Sequence, residues 1–432
     1  MNRRFEPSGA LRGTVRPPAD KSISHRAALF GAMSDEPVTV RNYLRAGDTE
    51  STLDAVQALG AGVDDRGGEL VIRGVGLHTP ADVTGGTLNV GNSGTLLRLL
   101  PGWLSGQPGG RWTLDGDDSI RKRPIDRVAE PLRQMGAQID ARDERFAPMQ
   151  VTGTELHGID YVLPVPTAQV KSCVLIAGLL ASGRTSVTEA TRSRDHTERM
   201  LCRARVPFGR DGQTVWVSQV DELELDDVNV PGDPSSAAFL ATAAAIVPGS
   251  RIVIDDVCLN WTRTGFFRIA QRMGAVILGD LEEPGDEQPD HEPAGELDVA
   301  ASPLIATEVT ADEVPLAIDE LPLVALLGCF AEGDTVVSGA AELRVKETDR
   351  IAGVVDGLRG LGADIEGTED GFVVHGPDGI EGGTIDSRGD HRLAMLGAVA
   401  GLASRSGVEV LGMDVAAISY PGFESDLATL LG

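Results

Sequence analysis

Apolar runs long enough for helices alternate along this chain with short stretches rich in valine, isoleucine and threonine, and glycine falls at the junctions. Six of the runs have a polar start and an Ala/Leu-rich body: Lys21–Met33, Gly94–Leu104, Gln169–Ala181, Ser235–Ile246, Glu320–Phe330 and His391–Leu402. Bodies with so few polar positions predict helices buried between sheets. A second helical series interleaves with these and ends in one recurring phrase. It reads Ala58-Leu59-Gly60-Ala61, Gln134-Met135-Gly136-Ala137, Arg272-Met273-Gly274-Ala275 and Gly360-Leu361-Gly362-Ala363. Degenerate copies fit at Val206-Pro207-Phe208-Gly209 and at the terminal Leu430-Leu431-Gly432. Glycine in that phrase is the expected residue just past a helix end, where a positive φ costs it nothing.

The phrase returns with a period of about 70 residues, giving six units that each read helix, strand, helix, strand or hairpin. One such unit cannot bury both its helices, so several must pack together. Pro17-Pro18 precedes the first unit and Pro231-Gly-Asp-Pro234 separates the third from the fourth, which predicts three units and three. The expected domains are 18–231 and 1–17 with 232–432, because the strand-like Ala10–Arg16 precedes the first seam and is free to return to the second lobe. Two crossings between lobes would form a hinge. Gly279–Glu296, acidic and proline-rich, reads as a solvated loop without chemistry.

Charge narrows the class of ligand. The chain carries 65 acidic against 38 basic residues and a net charge of −27, which argues against nucleic acid and against anionic membranes. Such a surface suits work in high salt, where repulsion is screened. Only four residues are lysine, Lys21, Lys122, Lys171 and Lys346, and each sits in or beside a motif able to bind an anion. Cys173, Cys202, Cys258 and Cys329 are scattered and the histidines form no H-x-x-x-H pair, so neither a disulfide frame nor a metal site is expected. The N-terminus has no apolar core and the apolar runs are too short to span a bilayer, so a cytoplasmic protein is expected.

The candidate chemistry gathers at helix starts. Asp20-Lys21-Ser22-Ile23-Ser24-His25-Arg26 places two cations and a hydroxyl in two turns, where free N–H groups and the helix dipole already favour an anion. Asp20 or Ser22 can cap that helix. Gly91-Asn92-Ser93-Gly94-Thr95 offers backbone N–H groups, and Arg121-Lys122-Arg123-Pro124 brings three cations with proline at the expected first helical position. Thr167 and Gln169 open the third buried helix, and Ser193–Glu198 is a polar helix start. Asp319 lies in an apolar context, as either a cap or a base. Lys346 and Arg350, four apart with Glu347 between, would share a helix face, and Arg392 opens the sixth buried helix. Taken singly, the motifs also read as helix caps, helix-entry turns or solvated charges, and Arg344–Arg350 is the most specific run. Their recurrence at nearly every helix start predicts converging cations that focus positive potential in a cleft, suited to two anions.

In this order the runs D-K-S-I-S-H-R (20–26), G-N-S-G-T (91–95), R-K-R-P-I (121–125), T-A-Q-V-K-S (167–172), S-R-D-H-T-E (193–198), I-D-E-L-P (318–322), V-K-E-T-D-R (345–350) and D-H-R-L-A-M (390–395) resemble the 5-enolpyruvylshikimate-3-phosphate synthase (3-phosphoshikimate 1-carboxyvinyltransferase) family. The resemblance covers essentially the whole chain. It implies an α/β, two-lobed enolpyruvyl transferase fold of six βαβαββ-type repeats, three per lobe, with buried helices and the active site in the cleft. It implies transfer of the enolpyruvyl group of phosphoenolpyruvate to the 5-hydroxyl of shikimate 3-phosphate, and no metal or organic cofactor; a monomer is expected.

By the same resemblance Lys21, Ser22, Arg26, Thr167, Gln169, Ser193, Asp319 and Lys346 would hold shikimate 3-phosphate. Lys21, Gly94, Arg123, Gln169, Arg350 and Arg392 would hold phosphoenolpyruvate, arginine suiting its carboxylate and phosphate by bidentate bonding. Asp319 would be the hydroxyl-side base, with Glu347 and Lys21 the candidates for proton transfer at C3. Two positions depart from the family pattern. Ile418 stands where many relatives carry lysine before a final Ser/Thr-aromatic-Pro, and Ala168 where some carry serine. The related transferase acting on UDP-N-acetylglucosamine typically has Lys-Asn in place of Lys21-Ser22 and commonly a reactive cysteine before its arginine. No cysteine precedes Cys173 here. A non-catalytic anion-binding protein on the same repeats would gain nothing from Asp319 and Glu347 among the cations.

Overall fold

The computed structural model describes residues 1–81, 86–285 and 289–431. Its helices are α1 (Lys21–Met33), α2 (Gly47–Ala58), α3 (Gly94–Ser105), α4 (Asp126–Gln134), α5 (Ala168–Gly178), α6 (His196–Arg203), α7 (Pro234–Ile246), α8 (Gly265–Arg272), α9 (Val314–Ala317), α10 (Leu321–Gly328), α11 (Arg350–Gly360), α12 (His391–Ala403) and α13 (Phe423–Leu431). The six expected buried helices are α1, α3, α5, α7, α10 and α12. In α7 and α10 every residue is buried, and in α12 every residue but Ala403. Helices that are apolar on all sides have no face for water, and the strands that flank them are what cover them.

Five of the buried helices connect to a small sheet built on one plan, and the sheet beside α12 takes Arg3–Phe5, antiparallel, in place of the hairpin. Thr87–Asn89 pairs in parallel with Arg111–Asp115, and an antiparallel hairpin, Gln138–Arg142 with Phe146–Thr152, completes that sheet. The parallel strands are the ones before and after α3, a right-sized βαβ crossover. The same relation holds around α5 (Asp160–Val162 with Arg184–Thr188), α10 (Leu304–Ile305 with Ala331–Val337) and α12 (Gly383–Asp386 with Val408–Leu411). Around α1 and α7 the partners are exchanged. Arg12–Val15, before α1, pairs with Arg251–Ile254 after α7. Val228–Asn229, before α7, pairs with Val40–Arg41 after α1.

Contacts divide the chain into two compact units. One comprises Met1–Pro18, Pro231–Glu283 and Pro293–Gly432, and the other Ala19–Val230 with Pro284–Glu292. In the first unit α7, α10 and α12 pack against one another, and in the second α3 packs on both α1 and α5. The segment 284–292 therefore associates with the unit of the first three repeats. The acidic stretch Gly279–Glu296 departs from its reading as a solvated loop. Residues 286–288 lie outside the described residues, Ala294 already begins a strand, and the Glu292 carboxylate stands 2.6 Å from the buried Nδ1 of His196.

The glycine phrase works as a helix stop in four repeats, with Gly60, Gly136, Gly274 and Gly362 all near φ +94 to +103. The third repeat corrects the expected alignment. There Arg205, with φ 54, takes the left-handed position after α6, and the N–H of Val206 closes the turn on Leu201 O at 3.0 Å. Gly209 is instead a strand residue whose absent Cβ makes room for Trp216. Of the sixth copy, Gly432 lies outside the described residues.

Close approach sets a second demand for glycine. A Cβ on Gly102 of α3 would lie 2.4 Å from the carbonyl oxygen of Cys173 on α5. Backbone cannot yield as a side-chain tip does, so Gly102→Ala must push the two helices apart. Chemical denaturation should register a loss of about 1–3 kcal/mol, and an unchanged midpoint would contradict this packing.

Candidate functional site

In the unit of the first three repeats, the starts of α1, α5 and α6 meet at one buried guanidinium. Asp20 caps α1 by accepting from Ile23 N at 2.8 Å, which decides between the two expected caps. Arg26, one turn on, is 2 % exposed. It donates through Nε to Thr197 Oγ1 at 2.8 Å, through Nη2 to Ser172 Oγ at 2.8 Å and through Nη1 to Ser22 O at 3.0 Å. Burial, against the charges of Glu198 and Asp20, brings its pKa down to about 10, so it stays cationic at neutral pH. Lys21, at the helix start, reaches Asp48 at 3.2 Å.

Gln169 is fixed from two sides, accepting from Arg98 Nη1 at 2.7 Å and donating to Thr95 Oγ1 at 3.1 Å. Arg123 donates to Asn92 Oδ1 at 3.0 Å and Ser119 Oγ at 3.3 Å. Gly94 leaves room for it, since a Cβ there would stand 2.7 Å from Nη1 of Arg123. Two local expectations change here. Pro124 does not open a helix, because α4 begins at Asp126, and Thr167 precedes α5 without a side-chain cap bond.

Lys171 has another occupation than the anion motif suggested. It is 1 % exposed and bonded to Glu189 at 2.6 Å and Glu198 at 2.7 Å. Burial lowers its pKa, and the two carboxylates more than restore it. Ser193 joins the same cluster, its hydroxyl and its N–H both donating to Glu189. Lys122 is exposed in a short turn, so the four lysines are not one set.

In the other unit the starts of α10, α11 and α12 gather around Arg350. This guanidinium is 1 % exposed and contacts three carboxylates: Asp390 at 2.7 Å, Asp319 at 3.1 Å and Glu347. Burial alone would lower its pKa, and Asp390, Glu347 and Asp319 outweigh that and raise it. Asp390 meanwhile caps α12 through Arg392 N at 2.9 Å. Asp319 faces three cations, Lys346 at 3.4 Å, Arg350 at 3.1 Å and Arg392 at 3.7 Å, and its backbone oxygen accepts from Arg392 Nη1 at 3.1 Å. It is not a helix cap, since Glu320 holds the position before α10.

Lys346 and Arg350 do not share a helix face. Lys346 ends a short 3-10 turn and α11 starts at Arg350, capped by Asp349 through Ala352 N at 3.0 Å. Asp319 is what brings them together. Sequence reasoning missed Asp48, Arg98 and the bond from Asp390 to Arg350. Asp48 lies 27 residues from Lys21 and Arg98 lies 71 from Gln169, separations that carry no local pattern. Ile418, at the lysine departure, closes the 3-10 turn Met413–Ile418.

Among the described residues no helix is long and apolar enough to cross a membrane, and no group of three His, Cys, Asp or Glu could hold a metal ion. Six small sheets around six buried helices, three to a unit, are the fold of the enolpyruvyl transferases. The model of the EPSP synthase (3-phosphoshikimate 1-carboxyvinyltransferase) family matches residues 5–427. A 3-phosphoshikimate 1-carboxyvinyltransferase of Bacillus velezensis is 45 % identical over 98 % of this chain and 97 % of its own length. That of Bacillus subtilis is 45 % identical over 97 % of both. A solved EPSP synthase structure from Acinetobacter baumannii superposes with TM-score 0.86 at 39 % identity, covering 99 % of this chain and 98 % of its own. This chain belongs to the EPSP synthase family.

Lys171→Met isolates the structural cluster from the site. It leaves Glu189 buried without its cation and Glu198 with only Arg210 at 3.7 Å, at a cost of about 3–5 kcal/mol in denaturant unfolding at neutral pH. Burial raises the pKa of Glu198 above the ordinary 4.5. A carboxylate with a raised native pKa adds stability at low pH that is lost as pH rises through that pKa. The variant should therefore regain stability on acidification, and a deficit independent of pH would contradict the cluster.

Proposed function

We propose that this chain transfers the carboxyvinyl group of phosphoenolpyruvate to the 5-hydroxyl of shikimate 3-phosphate and releases phosphate, the step its relatives are named for. The observation that carries the reading is Asp319, a carboxylate ringed by Lys346, Arg350 and Arg392 within 3.7 Å. An anion-binding protein has no use for a carboxylate there. A transferase uses it to take the proton of an attacking hydroxyl.

The assignment of residues is part of the proposal. Ser22, Arg26, Thr167, Gln169 and Lys346 hold shikimate 3-phosphate, with Ser193 at the edge of the set because its hydroxyl is committed to Glu189. Lys21, Gly94, Arg123, Arg350 and Arg392 hold phosphoenolpyruvate, with Lys21 and Gln169 near both. A proton delivered to C3 by Glu347 or Lys21 makes C2 electrophilic. The hydroxyl oxygen bonds to C2 as Asp319 accepts its proton. The tetrahedral intermediate then loses a C3 proton and expels phosphate, restoring the vinyl group. Exclusion of water protects that intermediate.

Phosphate release from phosphoenolpyruvate, with and without shikimate 3-phosphate and at low and multimolar salt, tests the reaction. Release should require shikimate 3-phosphate and rise with salt, as the net charge of −27 demands screening. No release under any condition would refute the reading. Asp319→Ala should cut kcat by a factor on the order of 10²–10⁴ while both substrates still bind. Near-normal turnover would remove Asp319 from the role of base.

A further inference from the structure

We infer that Glu320 is a positioning residue that fixes Arg392 for phosphoenolpyruvate, acting as the end of a buried relay from Arg263 through Ser235. The inference rests on the proposed function and deepens it. Glu320 is 3 % exposed, beside Asp319 in sequence but turned to a different set of partners. Its Oε1 accepts the hydroxyl proton of Ser235 and lies 3.6 Å from Nη1 of Arg392. Ser235 Oγ in turn accepts from Nη2 of Arg263 at 3.0 Å, and the same Nη2 donates to Asp233 Oδ1 at 2.9 Å. Asp233 caps α7 through Ser235 N at 2.8 Å. Arg263, Ser235, Glu320 and Arg392 thus alternate cation, hydroxyl, carboxylate and cation, all at least nine-tenths buried.

The physical argument turns on cost. A buried carboxylate is tolerated only when it is paired and hydrogen-bonded, so Glu320 is kept for what it holds. Its neighbour Asp319 already faces Lys346, Arg350 and Arg392, and as a base it must be free to change its contacts during the reaction. A guanidinium that depended on Asp319 alone would shift whenever Asp319 moved. Glu320 and the backbone oxygen of Asp319, 3.1 Å from Nη1, give Arg392 anchors that do not take part in proton transfer. Both anchors fall on Nη1, and the planar guanidinium fixed at that edge is preset for a bidentate oxyanion. Positioning residues of this kind act on substrate affinity through a neighbour's geometry.

The test is a kinetic split in folded protein. Glu320→Gln keeps shape and removes charge. It should raise the KM for phosphoenolpyruvate about tenfold, for the loss of a buried ion pair at 3.6 Å, with the KM for shikimate 3-phosphate within about twofold of wild type. Ser235→Ala, which leaves the carboxylate in place but unanchored, should move the same KM in the same direction by less. Combining Glu320→Gln with Arg392→Lys should add little to Arg392→Lys alone, since both act through one guanidinium. A phosphoenolpyruvate KM unchanged in both single variants, equal rises in both KM values, or full additivity would overturn the role. Wild-type protein run in the same assay separates the two readings. Absence of phosphate release there sinks the proposed function, and with it this inference. An active wild type with an unaltered Glu320→Gln sinks the inference alone.

Discussion

Two buried guanidinium groups, one in each unit, each hold a cluster of helix starts together. Arg350 and Arg26 are each at most 2 % exposed, and a charge so far from water must find its partners inside the protein. For Arg350 the partners come from before α10, from the start of α11 and from the cap of α12. For Arg26 they come from α5 and α6. Withdrawing any of these helix starts would strand a charge, at a cost of several kcal/mol. The arginines therefore force helix starts to gather, and helix starts are where free N–H groups and the dipole favour anions.

The repeats make that gathering possible. Six helices without a polar face have to be covered by sheet, and each sheet takes a parallel strand on either side of its helix. The exchange of strands around α1 and α7 is the exception that organises the chain. Arg12–Val15 and Val228–Asn229 each complete the sheet that follows the other's helix. One unit therefore closes on a strand from near the N-terminus, and the other on a strand from the middle of the chain.

Carboxylates carry as much of the design as the cations. Asp48 steadies Lys21, Asp390 both caps α12 and grips Arg350, and Glu189 with Glu198 neutralises Lys171. In a chain with 65 acidic residues these few are set apart by burial against named partners. Lysine divides in the same way. Lys21 and Lys346 stand at the clusters, Lys171 is sealed within the core, and Lys122 lies at the surface.

The sequence by itself determined the six buried helices, α1 to the residue, because a helix apolar on all sides and opened by a polar cap has one stable use. It determined the glycine stops wherever the phrase was intact, and the family wherever the motifs ran in order. Tertiary structure alone decided which polar atoms meet. The third stop fell on Arg205, a non-glycine residue at φ 54, where Val206 N–H closes the turn on Leu201 O. Asp319 is a hub and not a cap, Lys346 and Arg350 meet at that hub and not along a helix, and Lys171 serves the core. Periodicity reports the face a residue shares with near neighbours. A buried ion pair is fixed by desolvation and by partners many residues away, and no local pattern encodes either.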